Sequence, residues 1–436
     1  MSPVDIGIIG ILIFLALIAL RVPIALAMFM VGYGGYAYLE SFNAANHMLS
    51  TELFSSLSSY SLSVIPMFVW MGFLAYYSGI GGSLYNFAYR MIGHRPGGLA
   101  IATQAACAIF GAICGSNTAT AATMGAIALP EMRKYNYDDS LSTASVAAAG
   151  ALGVLIPPSV IFIVYGMSTQ QSIGKLFIAG IIPGILLMLF YMLAIYLVVR
   201  KNPRLGPAGE KSTWRQRISS LRGGLLEVLI VFCISLGGLF AGWFTPTESG
   251  AVGAASLLVI AVLRKKLTLK GFFSSLSDTT RTTAMIMFLV AGATVFGRFI
   301  SISRLPFEMA SWAAGLALPP PVILAIVLAI YMILGCFIDA LALVLLTVPI
   351  FYPVIVEVLG YDPIWFGVII VMVVAMGVIT PPVGMNVFIV KGVAKDVPLE
   401  RIFKGIWPFF TALIACITVL VIFPQLSTFL PGLLTK

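Results

Sequence analysis

Long apolar runs, separated by short charged segments, most constrain what this chain can fold into. The run from Ile6 to Leu20 is apolar on every side of a helix and shows no alternation of period two. Only 9% of the 436 residues are charged and 60% are hydrophobic, whereas soluble domains carry about 25% charged residues. So few charges cannot cover a water-soluble surface, and the same numbers exclude a disordered, collagen-like or nucleic-acid-binding chain. We expect a polytopic α-helical membrane protein with roughly ten to twelve passes of about 20 residues each.

The distribution of positive charge predicts which loops face the cytoplasm, because Lys and Arg in short loops are retained there. The segments Arg200–Arg222 and Arg264–Lys270 are strongly basic, and Glu40–Glu52, predicted to be an acidic loop, contains no Lys or Arg. The two basic segments are therefore expected inside and the acidic loop outside. Followed along the chain, this assignment places both termini on the periplasmic side.

Two halves of the chain share one pattern at a spacing of about 220 residues. The segments Gly153–Pro158 and Gly377–Pro382 match each other, as do Gly180–Pro183 and Gly405–Pro408. The flanking charges have opposite distributions in the two halves, so the repeats are predicted to have inverted topologies. Inverted repeats in a membrane protein are typical of secondary transporters.

Glycines and prolines interrupt the apolar runs at matching places in both repeats. The segments Leu99–Pro130 and Val322–Pro349 have Gly-containing centres and predict re-entrant hairpins, and the Pro pairs at 157–158 and 381–382 predict broken helices. Irregular backbone at membrane depth persists only where protein or a polar cavity satisfies it. Freed carbonyls there can bind a cation, and half-helix N-termini favour a carboxylate. The alternative is a set of ordinary proline-kinked helices.

Two isolated charges are candidates for function. Asp339 is the only charge between Glu308 and Glu357, and a carboxylate in hydrocarbon is costly unless it is paired or bound to an ion. It is expected either to hold an ion or to have a structural partner. Arg298 lies within an apolar stretch, where it either reaches the membrane interface or faces a cavity and contacts an anion.

Several motifs together resemble the large membrane subunit of tripartite ATP-independent periplasmic (TRAP) transporters. The resemblance covers essentially the whole chain, and its carrying segments are Gly115–Ala121 (GSNTATA), Ile127–Met132 (IALPEM), Leu155–Ser159 (LIPPS), Gly174–Gly184 (GKLFIAGIIPG) and Thr380–Gly384 (TPPVG). The segment Gly335–Pro349 matches more loosely. The resemblance implies an all-α, inverted-repeat transporter of the bacterial inner membrane that works by an elevator mechanism and is not an enzyme.

The resemblance also implies the substrate class and the partners. It points to sodium-driven import of a small organic anion, a carboxylate or a sulfonate, with a periplasmic substrate-binding protein and a small four-helix membrane subunit. That subunit is expected to be a separate chain, because no additional N-terminal helices precede the large-subunit pattern.

The domain organisation follows from the repeats and the implied mechanism. Residues 1–63 and 178–263 are predicted as scaffold helices, with a cytoplasmic loop at 200–222, and residues 405–436 as a final helix. Residues 64–177 form the first repeat, with a hairpin at about 97–130 and a broken helix at about 145–166. Residues 264–404 form the second repeat, with a hairpin at about 322–349 and a broken helix at about 364–390.

Two or more sodium ions are expected, because hard cations take oxygen ligands and both hairpins supply them. The candidate sodium ligands are Gly115, Ser116, Asn117, Thr118, Gly153, Asp339, Thr380, Pro381, Pro382 and Gly384. The candidate solute-binding residues, expected between the two hairpin tips, are Ser116, Ser159, Arg298 and Asn386.

Three other classes of protein are alternatives to this interpretation. A membrane enzyme needs a cluster of titratable groups at membrane depth, and only Asp339 and Arg298 qualify. A channel needs a continuous polar stripe, whereas the polar residues here gather at four breaks. The main competitor is an inverted-repeat anion and sodium symporter that works without a binding protein.

Overall fold

The computed structural model describes residues 1–315 and 318–433, and the regular structure in these ranges is helical. The first half contains α1 (Pro3–Ala19), α2 (Ile24–Leu39), α3 (Phe42–Leu57), α4 (Val64–Tyr77), α5 (Ile80–Ile92), α6 (Gly98–Cys114), α7 (Asn117–Lys134), α8 (Asp139–Gly150), α9 (Leu152–Leu155), α10 (Val160–Ser168) and α11 (Ile173–Lys201). The second half contains α12 (Trp214–Ser220), α13 (Leu226–Phe232), α14 (Gly238–Phe240), α15 (Pro246–Leu263), α16 (Leu269–Ile302), α17 (Leu305–Gly315), α18 (Pro320–Gly335), α19 (Ala340–Tyr352), α20 (Pro363–Gly377), α21 (Met385–Val393), α22 (Leu399–Ile422) and α23 (Gln425–Leu433).

Seven helical segments in the described ranges are long and apolar enough to cross a membrane. They are Tyr60–Tyr77, Ile173–Lys201, Trp214–Phe240, Pro246–Leu263, Leu269–Ile302, Ala340–Val358 and Leu399–Ile422. The pair Asp139–Leu155 and Val160–Ser168, bent by 43°, makes an eighth if it is counted as one span. Five further apolar helices of 10–17 residues are present. The seven or eight segments of spanning length are fewer than the ten to twelve passes expected from the sequence.

Both predicted hairpins are present; the first turns at its glycine and the second turns directly after its glycine. In the first, α6 ends at Cys114, Gly115 takes a left-handed conformation with φ of 63°, and α7 begins at Asn117. In the second, α18 ends at Gly335 and α19 begins at Ala340. The two tips differ, since one residue pair turns the first and a four-residue segment turns the second.

Both predicted broken helices are present as well. The first consists of α8, the short α9 and α10, with a break at the Pro pair 157–158; the second consists of α20 and α21, with a break at the pair 381–382. Both Pro–Pro peptide bonds are cis.

The two repeats interlock through their hairpins and broken helices. The second half of the first broken helix, α10, packs against the second arm of the second hairpin, α19. The reverse contact also forms, because α21 packs against α7. Each broken helix thus holds the hairpin of the opposite repeat, which ties the four elements into one packed unit.

Loops that are distant from each other in the chain lie together in space. At one end, Gly97 N donates to Gly206 O over 2.8 Å, and Arg133 pairs with Asp396 at 2.6 Å. At the other end, Tyr165 Oη donates to Pro363 O over 2.6 Å. The first end includes Gly206, which lies in the segment 200–222 that was predicted to be cytoplasmic.

Two segments differ from the sequence-based expectation. The acidic segment Glu40–Glu52 was predicted as a loop, and that prediction is wrong: α3 occupies Phe42–Leu57, is capped by the Ser41 hydroxyl and packs against α2 and α16. The charges mark a boundary between apolar runs, but they do not prevent a half-polar helix there. The final segment 405–436, predicted as one helix, contains most of α22 and then a second helix, α23, and residues 434–436 lie outside the described residues.

Candidate substrate and ion site

A cavity of about 980 Å³ lies where the two hairpin tips approach α16. Its polar lining comes from the first tip, the second tip and α16, and comprises Ser116, Asn117, Thr118, Thr123, Asp278, Arg281, Thr282 and Asp339, with Tyr76 and Tyr77 from the end of α4. The remaining wall is mainly apolar and includes residues of α2, α4 and α16. One cavity therefore joins both hairpin tips, and its role as the solute pocket stays a prediction.

The tip of the first hairpin is fixed against the first helix break. The Ser116 hydroxyl caps α7 by accepting from Ala119 N at 3.3 Å, and it lies 3.1 Å from the Thr118 hydroxyl. A Cβ atom on Gly115 would lie 2.6 Å from Pro158 O, so only glycine allows this approach in addition to the left-handed turn.

Oxygen atoms converge behind this tip. A Cβ on Gly153 would lie 2.5 Å from Thr120 Oγ1 and 2.7 Å from Ser116 O, so the two oxygens and the Gly153 backbone crowd around one point. Thr120 Oγ1 is buried and has no hydrogen-bond partner in the described chain. An unpartnered buried hydroxyl beside a carbonyl is the donor set that suits a hard cation. Thr120 was missed by the sequence reasoning, because threonine is an ordinary filler of apolar helices.

At the tip of the second hairpin, Asp339 caps α19. Its Oδ1 accepts from Leu341 N at 3.0 Å, and the side chain lines the cavity. The sequence left two roles open for Asp339, binding an ion and contacting a structural partner. The two roles are compatible, because one carboxylate oxygen caps the helix while the residue still lines the cavity.

The second break is held close to the second hairpin by two glycines. A Cβ on Gly377 would lie 2.5 Å from the carbonyl carbon of Gly335. The Thr380 hydroxyl donates to Met376 O over 2.6 Å, and Pro381 and Pro382 are exposed. Gly384 directly precedes α21 and has a φ of 59°. Among the described residues that line the cavity, none of Thr380, Pro381, Pro382 and Gly384 appears. Their role as sodium ligands remains a prediction.

The four predicted solute-binding residues are placed differently. Ser116 lines the cavity. Ser159 is fully buried and caps α10 by accepting from Phe162 N, and Asn386 is fully buried and donates to Ala147 O over 3.1 Å. Each is the chain neighbour of a lining residue, but neither lines the cavity itself.

The fourth predicted solute-binding residue, Arg298, forms an ion pair outside the described cavity lining. Its Nε lies 2.6 Å from Glu52 Oε1, an ion pair that joins α16 to α3, and it does not belong to the described cavity lining. The arginine that does line the cavity is Arg281, on the same helix. The sequence reasoning did not select Arg281, because this residue adjoins the polar segment in the first part of α16, whereas Arg298 lies within an apolar run.

Comparison with known proteins decides the family. The family model described as the DctM component of the tripartite ATP-independent periplasmic transporter matches residues 11–426. This chain belongs to the DctM family. The resemblance stated from the sequence is thereby confirmed, and the chain is a multi-pass transporter subunit of the bacterial inner membrane rather than an enzyme.

Individual DctM relatives match over most of this chain. It is 37% identical over 385 residues to the C4-dicarboxylate TRAP transporter large permease protein DctM of Pseudomonas aeruginosa, covering 88% of this chain and 89% of that protein. It is 34% identical over 426 residues to the isethionate TRAP transporter permease protein DctMQ of Oleidesulfovibrio alaskensis, covering 96% of this chain and 65% of that protein.

A solved structure supports the fold. The Alcanivorax borkumensis YdaH transporter aligns with a TM-score of 0.62 at 15% identity, over 88% of both chains. The fold class expected from the sequence, an all-α membrane transporter with re-entrant hairpins and broken helices, is confirmed by this likeness together with the helices themselves.

Proposed function

We propose that this DctM-family chain imports a small organic anion, a carboxylate or a sulfonate, and couples import to sodium. The observation that carries the proposal is the single cavity that joins both hairpin tips, with Ser116 on one tip and Asp339 on the other. Two of the relatives are named for such anions, C4-dicarboxylates and isethionate.

The donor atoms at the two hairpins are suited to two sodium sites, one at each hairpin. At the first, Ser116 O, Thr120 Oγ1 and the Gly153 backbone converge, with Gly115, Asn117 and Thr118 beside them. At the second, Asp339 supplies a formal negative charge, and the turn from Thr380 to Gly384 supplies carbonyl oxygens. Bound sodium would contribute positive charge next to an anionic solute.

We further propose an elevator movement in which the hairpins and broken helices travel as one body. Support comes from the reciprocal packing of α10 on α19 and of α21 on α7. Two ion pairs at one end of the unit also support movement as one body; they join Arg133 to Asp396 and Arg401 to Asp138. The transport parts of residues 64–177 and 264–404 would then move against the scaffold helices.

The proposed partners are a small four-helix membrane subunit and a periplasmic binding protein. The DctMQ relative is longer than this chain, which matches 65% of it. The small subunit would widen the fixed part in the bilayer, and the binding protein would deliver solute to the cavity.

Reconstitution tests this function. The purified chain, with its cognate small subunit in proteoliposomes, should import solute only when the cognate binding protein and an inward sodium gradient are both supplied. Asp339→Asn should weaken the sodium dependence of import, because it removes the charge that offsets the ion. Glu400→Gln is the matched control, since it removes one carboxylate that is exposed and lies outside the cavity lining.

Two results would contradict the proposal. Robust uptake of free solute without a binding protein would favour the symporter that works alone. An unchanged sodium response in Asp339→Asn would leave that residue only its helix-capping role.

A further inference from the structure

One face of α16 forms a wall of the cavity that is separate from the hairpin tips. The residues Asp278, Arg281, Thr282, Met285, Phe288 and Leu289 all line the cavity, and their spacing of three and four places them on one side of a helix. The helix α16 packs along α2 and α4 and also contacts α19 of the second hairpin, so this wall shares the cavity with both hairpin tips without belonging to either hairpin.

Arg281 is the only basic side chain in the described lining of the cavity. The residue is exposed, and no carboxylate oxygen of the described residues lies within 4 Å of its nitrogens. Apolar side chains such as Met285 and Phe288 share its wall. A cation beside apolar walls attracts an anion more strongly than it would in open water.

Asp278 is the expected ion-pair partner of Arg281, because residues three apart are neighbours on a helix surface. The structure gives that carboxylate another partner. Tyr77, at the end of α4, donates its hydroxyl to Asp278 Oδ2 over 2.5 Å. The hydrogen bond holds Asp278 towards α4 and leaves the Arg281 guanidinium available.

We propose that Arg281 is an anion-binding residue on the α16 wall, which holds the carboxylate or sulfonate of the solute. Tyr77 and Asp278 act as positioning residues, because their hydrogen bond prevents Asp278 from neutralising Arg281. The inference rests on the proposed import of an organic anion and extends it to a contact on the helix that faces the hairpins.

Solute binding to the purified permease with its small subunit in lipid nanodiscs tests the inference. The probe is the radiolabelled form of the solute that mass spectrometry identifies in the cognate binding protein. Arg281→Gln should raise the Kd at least tenfold, and Arg281→Lys, which keeps the charge but not the planar fork, should raise it less. Lys270→Gln is the matched control, because it removes one exposed positive charge from the same helix outside the cavity lining.

Tyr77 gives a second, independent variant. Tyr77→Phe frees Asp278 to pair with Arg281 and should raise the Kd severalfold. The double variant Tyr77→Phe with Asp278→Asn removes the competing charge and should restore binding. A packing role for Tyr77 would not be rescued in this way, so failure of the double variant would overturn the positioning role.

A charge-rescue experiment guards against misfolding. Arg281→Cys in a chain with its native cysteines replaced should regain binding after reaction with aminoethyl methanethiosulfonate, which restores a positive charge. The sulfonatoethyl reagent should not restore it.

Two outcomes separate the inference from the function beneath it. If the wild type imports solute but Arg281→Gln binds it with unchanged Kd, the inference is overturned and the function stands. If the wild type imports nothing with binding protein and sodium gradient present, the proposed function fails and the inference falls with it.

Discussion

The close contact between the second hairpin and the second broken helix should not tolerate a single added methyl group. A Cβ on Gly377 would lie 2.5 Å from the Gly335 carbonyl carbon, about 0.9 Å short of the 3.4 Å at which ordinary contact begins. The atoms it meets are backbone and cannot rotate away, so the hairpin itself must shift. Overpacking of this kind destabilises the folded protein by about 1–3 kcal/mol, which corresponds to roughly a 5- to 150-fold change in the folding equilibrium constant.

We therefore expect Gly377→Ala to lower import at least about fivefold and to reduce the melting temperature of the purified complex. Gly335→Ala should be milder, because its nearest contact would be 3.3 Å from Gly377 Cα, and it should mainly raise the sodium concentration that gives half-maximal import. Gly392→Ala in α21 is the control, since a Cβ there meets no atom within 4 Å. If Gly377→Ala behaved like Gly392→Ala in both assays, the close contact would not matter for the transport unit.

Two further predictions concern the ends of the molecule. Cysteines placed at Lys211 and at Thr247 in a cysteine-depleted chain should react with an impermeant thiol reagent from opposite sides of the membrane; labelling from the same side would contradict the inverted topology. The hydrogen bond from Arg133 lowers the pKa of the Asp396 carboxyl below its usual 3.8, so the pair stabilises the fold at neutral pH and this contribution is lost as the pH falls below about 4. Arg133→Gln should accordingly melt slightly below the wild type at pH 7, with a difference that disappears at low pH.

The sequence predicted the backbone breaks well because glycine and proline act directly on backbone geometry. Gly115 turns the first hairpin, the second turns after Gly335, and both Pro pairs interrupt their helices where expected. These residues constrain φ or remove a hydrogen-bond donor wherever they occur. Their effect therefore does not depend on which side chains surround them.

Side-chain roles were harder to predict, because they depend on which neighbour each group meets. Arg298 and Arg281 lie on the same helix, yet one pairs with Glu52 and the other faces the cavity. Arg298 was chosen as a solute-binding candidate because it lies within an apolar stretch of the sequence. Its partner, the Glu52 carboxylate, lies 246 residues away, and the local sequence does not indicate that contact. The helix α3, which supplies that carboxylate, was itself predicted as a loop.

The charges around the cavity suggest why the two proposed sodium ions would have different effects. The described lining carries Asp278 and Asp339 against Arg281, so without ions negative charge is in excess and an anion is repelled. An ion at the second hairpin offsets Asp339, whereas the first hairpin supplies only uncharged oxygens, and an ion there adds positive charge that attracts the solute. Asp339→Asn should therefore improve solute binding in the absence of sodium. Thr120→Val, which removes an uncharged ligand, should weaken solute binding because the ion is lost while both carboxylates remain.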